Sequence, residues 1–214
     1  MPYNTGMDTN AKHILSELER LYPDATPALH YSTPFELLVA VILSAQCTDE
    51  RVNKVTAELF KQYNTPAAID KMPAELLEKY IYSCGFYHAK AAHIKSAARD
   101  IIEKFGGEVP STHAELKTLA GVGQKTANVV YAVAFGGDAI AVDTHVFRVS
   151  NRLGLAHGST PDKVEEGLCA VIPKSDWSKA HHWLIYHGRR VCHSQKPDCP
   201  ACSLKTRCEF YNKK

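Results

Sequence analysis

The sequence predicts an all-α fold, and three observations lead to that prediction. Apolar residues recur three or four positions apart, as at Ile14, Leu18 and Leu21, which is the spacing along one face of a helix. Threonines and Thr-Pro pairs precede most of these segments, as helix N-caps do. No stretch alternates between apolar and polar residues for long enough to form a sheet. On the usual helix length of about 11–12 residues, roughly ten helices are expected.

The first two helices illustrate these signals. The Ile14–Leu21 pattern stops at Pro23, which cannot continue a helix. Next, Thr33–Glu36 reads Thr-Pro-Phe-Glu, a capping box in which Thr33 accepts from the Glu36 amide while Glu36 reaches back. The segment that follows is apolar on almost every side. It should therefore form the buried central helix.

Further helix boundaries follow the same pattern. Helices should begin after Thr48, Thr65, Thr112 and Thr160, and they should stop near Gly85, Gly106, Gly136 and Gly154, because glycine is the common residue at a helix C-terminus. Ala139–Val142 should be extended only briefly.

Composition narrows the class of protein. The 214 residues suffice for one or two domains, with 45% hydrophobic residues, 22% charged residues and a formal net charge of +2. A balance this weakly basic leaves nucleic-acid binding to local clusters of charge. The apolar run Leu37–Leu43 is far shorter than the roughly 20 residues of a membrane span. The first residues lack a signal-peptide pattern. We therefore expect a cytoplasmic protein without a membrane partner.

Seven cysteines are present, and four of them form a C-x6-C-x2-C-x5-C pattern. They are Cys192, Cys199, Cys202 and Cys208. In a reducing cytoplasm such a set indicates a metal centre rather than disulfides. The spacing alone leaves structural zinc and a [4Fe–4S] cluster about equally open. The other three, Cys47, Cys84 and Cys169, lie in apolar contexts and should be buried small side chains.

A Gly-Val-Gly turn is the second candidate site. A helix over 115–119 should run into Gly121 and Gly123, and another helix should follow. Glycines allow a tight hairpin whose outward backbone amides lie at a helix N-terminus, an arrangement that suits a phosphate. The alternative is a helix–helix turn that binds nothing.

Asp143 is the third candidate. It precedes a helical pattern, so the simplest interpretation is an N-cap. Capping is compatible with catalysis, because a carboxylate held by backbone amides stays ionised and keeps a fixed direction.

Taken together, these motifs resemble the endonuclease III family of DNA glycosylases, in its bifunctional branch. The resemblance covers nearly the whole chain. Its most characteristic segments are 43–46 (LSAQ), 121–129 (GVGQKTANV), 142–145 (VDTH) and 181–184 (HHWL). The cysteine spacing also matches the family's cluster loop. The resemblance therefore implies a [4Fe–4S] cluster rather than zinc.

The family fold implies two helical lobes. Residues 27–138 would form a six-helix lobe that contains the helix-hairpin-helix. Residues 1–26 together with 139–214 would form the iron–sulfur cluster lobe. Double-stranded DNA with damaged bases or abasic sites would lie in the cleft that the lobes flank, and the enzyme would act as a monomer.

The resemblance also implies roles for individual residues. Lys125 would attack the deoxyribose C1′, release the base and leave a Schiff base that allows β-elimination; closeness to a helix N-terminus and removal from water would favour its neutral form. Asp143 would assist this attack or stabilise positive charge on the sugar. Gln46 would fill the space left by the flipped base, and Phe86 would wedge into the partner strand, where the family often has leucine.

DNA-backbone contacts are expected from Gly121, Gly123 and Lys196. Further basic residues flank the cluster loop, namely Arg189, Arg190, Lys205 and Arg207. Two alternatives remain. An adenine-specific mismatch glycosylase of the same superfamily typically lacks a lysine where this chain has Lys125. A non-catalytic DNA-binding or redox protein would use only the hairpin and the cluster.

Overall fold

The computed structural model describes residues 8–213, and these are helical with no β-strand among them. The α-helices are, in order, α1 (Thr9–Leu21), α2 (Pro34–Ser44), α3 (Asp49–Leu59), α4 (Pro66–Lys71), α5 (Ala74–Ile81), α6 (Tyr87–Phe105), α7 (His113–Leu116), α8 (Gln124–Phe135), α9 (Thr144–Leu153), α10 (Pro161–Val171), α11 (Trp177–Arg190) and α12 (Glu209–Asn212). Short 3-10 helices cover Tyr82–Cys84, Lys174–Asp176 and Lys205–Arg207.

The all-α prediction is confirmed. The described residues contain twelve α-helices rather than about ten, because α7 and α12 are single turns of four residues each. None of the helices in residues 8–213 is long and apolar enough to cross a membrane.

The threonine caps form where the sequence predicts them. Thr33, Thr48, Thr65, Thr112 and Thr160 each accept a hydrogen bond from the amide three residues later. The prediction of a capping box at α2 is confirmed for Thr33 and wrong for Glu36. Glu36 accepts from the Ser32 amide at 2.6 Å, one residue earlier than a capping box requires. The helix before the Gly-Val-Gly turn also differs from expectation, since α7 ends at Leu116 rather than continuing to Leu119.

The chain divides into two compact units. One is the continuous segment Pro27–Gly137, which contains α2 to α8. Its core surrounds α2, whose residues from Phe35 to Leu43 are all buried, including Glu36. The prediction of a buried central helix is confirmed, because an all-round apolar helix can satisfy its side chains only by packing on every side.

The second unit joins the N-terminal residues through Thr26 to Asp138 and the residues after it. It contains α1 and α9 to α12. Ile14, Leu15 and Leu18 of α1 are fully buried in a core that also holds Val146 and Leu184. The stretch Ala139–Val142 is buried but forms no strand. It leads directly into α9.

Candidate active site

The hairpin before α8 depends on Gly121. Its φ of +75° lies in the left-handed region that L side chains rarely adopt. An added Cβ would also stand 2.7 Å from the His93 Cβ. The Val122 amide closes the turn by donating to the Leu119 carbonyl at 3.2 Å. Only glycine fits this position, so the tight hairpin expected from the sequence is present.

The first turn of α8 is capped differently from those of its neighbours. Its N-cap residue is Gly123, which has an extended backbone and no side chain with which to accept from the first amides. Lys125, the second residue of the helix, is exposed to solvent. Lys117 donates to the Gln124 Oε1 at 2.9 Å and so connects the hairpin to the start of the helix. A helix N-terminus whose N-cap has no side chain, together with an exposed ammonium, suits an anionic ligand.

Asp143 is the N-cap of α9, as its simplest interpretation predicted. Its Oδ1 accepts from the amides of His145 at 2.8 Å and Val146 at 2.7 Å. The residue is half-buried, and Oδ2 has no hydrogen-bond partner among residues 8–213. One oxygen therefore fixes the carboxylate while the other remains available for chemistry, so the capping and catalytic interpretations are both geometrically possible.

Helix α9 connects Asp143 to the cysteine loop through two arginines. The Arg148 guanidinium donates to the Cys192 carbonyl at 3.1 Å and to the Gly188 carbonyl at 3.0 Å. Arg152 donates to the carbonyls of His193 and Ser194 at 2.7 and 3.0 Å. The sequence reasoning missed both residues. Their signal was a pair of arginines four apart, and hence on one helix face, in a chain with little net charge.

The four candidate ligand cysteines are brought together as expected. Cys192, Cys199, Cys202 and Cys208 line one small pocket that is partly open to solvent. The lining also includes apolar side chains, among them Leu153, Val191 and Phe210, and the polar side chains of His187, Asp198 and Lys205. Burial raises the pKa of the Cys202 and Cys208 thiols, and repulsion by the neighbouring cysteines adds to this. A cationic centre would offset both effects, since metal ligands must be thiolates.

The grouping of the four thiols suits a metal centre. Within residues 8–213, no three His, Cys, Asp or Glu side chains converge closely enough to hold a single metal ion. A zinc ion needs its sulfur ligands within about 2.3 Å. Thiols without a bound metal need not meet at one point, so their grouping suits a metal centre of either kind, a zinc ion or a cluster.

Polar groups contact three of the four cysteine sulfurs, and one of these contacts joins the Cys208 Sγ to the Arg152 carbonyl oxygen at 3.1 Å. The Arg152 guanidinium lies 3.5 Å from the Cys192 Sγ. The His187 Nε2 lies 3.7 Å from the Cys202 Sγ, and the His187 Nδ1 lies 3.0 Å from the Tyr22 hydroxyl. Burial lowers the pKa of His187 to about 4, so this ring is neutral at physiological pH. Hydrogen bonds to sulfur orient a ligand and tune the centre that it holds.

The predicted DNA-contact residues share an unusual backbone feature. Gln46, Phe86 and Lys196 have φ values of 53°, 48° and 47°, and they are the non-glycine residues with positive φ in the described chain. All three are exposed, Phe86 to 67% of its surface. A non-glycine residue in this region costs about 1–2 kcal/mol. Strain of this kind concentrates where function fixes the position of a side chain.

Several basic residues beside the cysteine loop are engaged within the protein. The Arg190 guanidinium stacks 4.6 Å from the Tyr186 ring centroid. Lys205 donates to the Pro200 carbonyl at 3.0 Å, and Arg207 lies 3.4 Å from the Asn10 side-chain oxygen. These contacts use part of each side chain's donors to hold the loop. The expected basic patch is therefore also a structural element.

The amino-acid sequence is similar to those of known DNA repair proteins. Residues 39–174 match the HhH-GPD family, described as the HhH-GPD superfamily base excision DNA repair protein. An endonuclease III of Haemophilus influenzae is 49% identical over 205 residues, which cover 96% of this chain and 97% of the relative.

Solved structures give the same result. A trapped covalent intermediate of endonuclease III with DNA, described as an estranged-adenine complex, superposes with a TM-score of 0.92 at 48% identity. The match covers 97% of this chain and 99% of that one. A thermostable thymine-DNA glycosylase superposes with a TM-score of 0.87 at 26% identity over 96% of this chain and 98% of that one.

Proposed function

Because the chain belongs to the HhH-GPD superfamily of base excision DNA repair proteins, as a member of the endonuclease III family, we propose that it releases oxidised or ring-saturated pyrimidines from double-stranded DNA and nicks the resulting abasic site. The observation that carries this proposal is the start of α8. There the exposed Lys125 follows the Gly-Val-Gly turn and stands beside amides that Gly123 leaves uncapped.

Binding begins with the DNA backbone. The turn at Gly121 and Gly123 presents amides to a phosphate, and Lys196 offers a second, exposed cation. Such contacts position the duplex without reading its sequence. The target base must then leave the stack, because its glycosidic bond is inaccessible within a duplex. Gln46 fills the vacated space and Phe86 enters the partner strand, where its exposed ring replaces a stacking partner.

Lys125 performs the covalent chemistry. Its neutral amine attacks the deoxyribose C1′, the C1′–N bond breaks, and the base leaves with the bonding electrons and takes up a proton. Opening of the sugar ring gives a protonated imine between Nζ and C1′. Loss of a C2′ proton then expels the 3′ phosphate as the C3′–O bond breaks, which nicks the strand. Water hydrolyses the imine and regenerates the amine.

Asp143 supplies the negative charge that this sequence of steps needs. With Oδ1 fixed by two amides, Oδ2 can accept the proton of the attacking ammonium or stabilise the positive charge that develops on the sugar. The two amides that cap α9 hold the carboxylate in a fixed direction. A group held in this way needs little reorganisation during the reaction.

Cys192, Cys199, Cys202 and Cys208 would hold a [4Fe–4S] cluster. When bound, the cluster supplies a structural centre and no step of base release. Residues of this chain would connect the cluster loop to the rest of the site. Arg148 and Arg152 connect the cysteine loop to α9, the helix that Asp143 begins. The loop also carries Lys196 in its strained conformation.

The choice of base follows from the family resemblance and not from the fold. A thymine-DNA glycosylase has a similar fold at 26% identity, so the fold alone does not set which base is removed. Oxidised and ring-saturated pyrimidines follow from the resemblance to the bifunctional branch. We place the activity on chromosomal DNA in the cytoplasm.

Borohydride trapping tests the proposal. Reduction of the imine on DNA that carries thymine glycol or an abasic site should give a covalent protein–DNA adduct. Lys125→Gln should give no adduct and no nicking, while Lys54→Gln, which removes an exposed lysine paired with Glu50, should leave both unchanged. Robust nicking by Lys125→Gln would falsify the mechanism. If the protein bound nucleic acid without catalysis, neither the wild-type protein nor Lys125→Gln would form an adduct.

Metal analysis tests the cluster separately. Protein purified without air should be brown and contain iron and sulfide at about four each per chain. Stoichiometric zinc in the same preparation would overturn the cluster and leave the lysine chemistry standing. Cys202→Ser should lower the iron content, whereas Cys169→Ser, which lies outside the cysteine loop, should not.

A further inference from the structure

A buried lysine joins the two segments that carry Gln46 and Phe86. Lys90 lies in the first turn of α6 and is only 5% exposed. Its Nζ donates to the carbonyls of Leu43 at 2.8 Å, Ala45 at 2.8 Å and Cys84 at 2.9 Å. An ammonium has three donors, so each of them is used. Its partners are all backbone oxygens, and they come from two separate segments of the chain.

These three carbonyls lie next to the strained residues. Ala45 directly precedes Gln46, and Cys84 is followed by Gly85 and Phe86, each with positive φ. The Leu43 carbonyl belongs to the last turn of α2, where carbonyls lack helical partners and the helix dipole favours a cation. One side chain therefore satisfies the end of α2 and fixes the residues immediately before both unusual backbone conformations.

We propose that Lys90 is a positioning residue that sets Gln46 and Phe86 at the spacing needed to enter a DNA duplex together, an inference that rests on the insertion roles given to those two residues above. Lys90 does not touch DNA. It acts by holding two backbone segments that would otherwise relax from left-handed conformations. Burial lowers the pKa of Lys90, and the neighbouring thiols of Cys84 and Cys47 oppose that shift.

The same helix provides a matched control. Lys95 donates to three backbone carbonyls, those of Ile69, Asp70 and Met72 at the end of α4. Those carbonyls adjoin no strained residue and neither proposed insertion segment. Replacing Lys95 therefore removes the same number and kind of hydrogen bonds from the same helix. An effect seen for Lys90 but not for Lys95 would therefore come from the position of the Lys90 acceptors beside Gln46 and Phe86.

The experiment compares Lys90→Met with Lys95→Met in the full chain with its metal centre. Base release from a duplex containing thymine glycol is measured under single-turnover conditions, together with the fluorescence of 2-aminopurine opposite the lesion. Borohydride trapping on an abasic site in single-stranded DNA reports the lysine chemistry alone, since a single strand has no stack to enter. Thermal melting reports folding for each variant.

We expect Lys90→Met to lose about 100-fold in base release, as a misplaced group outside the chemistry can, together with the fluorescence change. Single-strand trapping should remain at the wild-type level. Lys95→Met should melt at a similar temperature to Lys90→Met and keep its base release. In the Lys90→Met background, Gln46→Ala and Phe86→Ala should lower base release little further. The loss of Lys90 would already have displaced the backbone segments that carry these two side chains.

Equal base release by Lys90→Met and Lys95→Met would overturn the inference, as would full additivity of the alanine substitutions. Absence of trapping by the wild-type chain would instead contradict the proposed function. Should Lys90→Met melt below the assay temperature, Lys90→Gln replaces it with two donors retained. An unchanged rate in that variant counts equally against the positioning role.

Discussion

Helices α8 and α9 follow one another in the sequence and begin in opposite ways. At α8 the capping position is Gly123, which has no side chain with which to accept from the first amides, and Lys125 stands exposed in the first turn. At α9 the capping position is Asp143, whose own carboxylate accepts from the first amides. One helix start is prepared for an external anion, and the other has its anion built in.

The two helix N-termini have the same local geometry and differ in the source of the negative charge that they hold. A helix N-terminus favours negative charge wherever it occurs. A glycine cap leaves that preference for an external anion, which we propose is a DNA phosphate. An aspartate cap uses it to hold a carboxylate in a fixed direction. The variants below test this division, beginning with the largest expected effect.

Asp143→Asn separates capping from chemistry. Asparagine caps a helix about as well as aspartate, so the thermal midpoint should hardly move. Base release should fall by about 10²- to 10⁴-fold, the usual contribution of a positioned acid or base. Single-turnover assays and thermal melting measure the two quantities. Asp143→Ala should lose the cap as well, at about 0.5–2 kcal/mol of stability. Unchanged turnover in Asp143→Asn would reduce Asp143 to a cap.

Gly121→Ala tests the hairpin that leads into α8. The positive φ alone should cost about 1–2 kcal/mol, and the new Cβ would meet His93. For a chain of this size the melting temperature should fall by about 2–8 °C, as measured by calorimetry or circular dichroism. A melting temperature equal to that of the wild type would show that the turn tolerates an ordinary side chain.

Gly123→Asp converts the start of α8 into a copy of the start of α9. A Cβ added there meets no atom within 4 Å, so the fold should accept the substitution and the melting temperature should hold. DNA binding should weaken by about 1 kcal/mol or more, because the new carboxylate competes for the amides and repels phosphate. Gly123→Ser, an uncharged cap, should weaken binding less. Undiminished affinity in Gly123→Asp would mean that the α8 amides do not contact DNA.

Lys196→Ala asks whether phosphate binding extends beyond α8. Loss of one phosphate contact should lower the slope of log affinity against log salt by about 0.9 and leave the choice of lesion unchanged. Fluorescence anisotropy at several salt concentrations measures this slope. An unaltered slope would mean that Lys196 does not contact a phosphate and that its left-handed backbone serves only the shape of the cysteine loop.

The sequence predicts the features that depend on near neighbours. The threonine caps, the glycine helix ends and the Asp143 cap are each decided within four residues, and the structure contains them. The grouping of the four cysteines was also correct. Its basis was a spacing within a single loop together with the family resemblance.

Other features depend on contacts between distant parts of the chain. Lys90 meets carbonyls 45 and 47 residues away, and Arg148 meets one 44 residues away; no local pattern reports such partners. The positive φ of Gln46 and Phe86 was equally hidden, because neither residue type signals a left-handed backbone. Helix α7 ends early since the turn at Gly121 begins sooner than its apolar pattern indicated.

The division of the chain has a consequence for its synthesis. The unit formed by Pro27–Gly137 is continuous, so it can fold as soon as its own residues have left the ribosome. Helix α1 is made earlier but buries Ile14, Leu15 and Leu18 against residues that follow Gly137. Its apolar face must stay exposed while the whole intervening unit is translated. That interval is when a nascent chain is most open to aggregation and most in need of a chaperone.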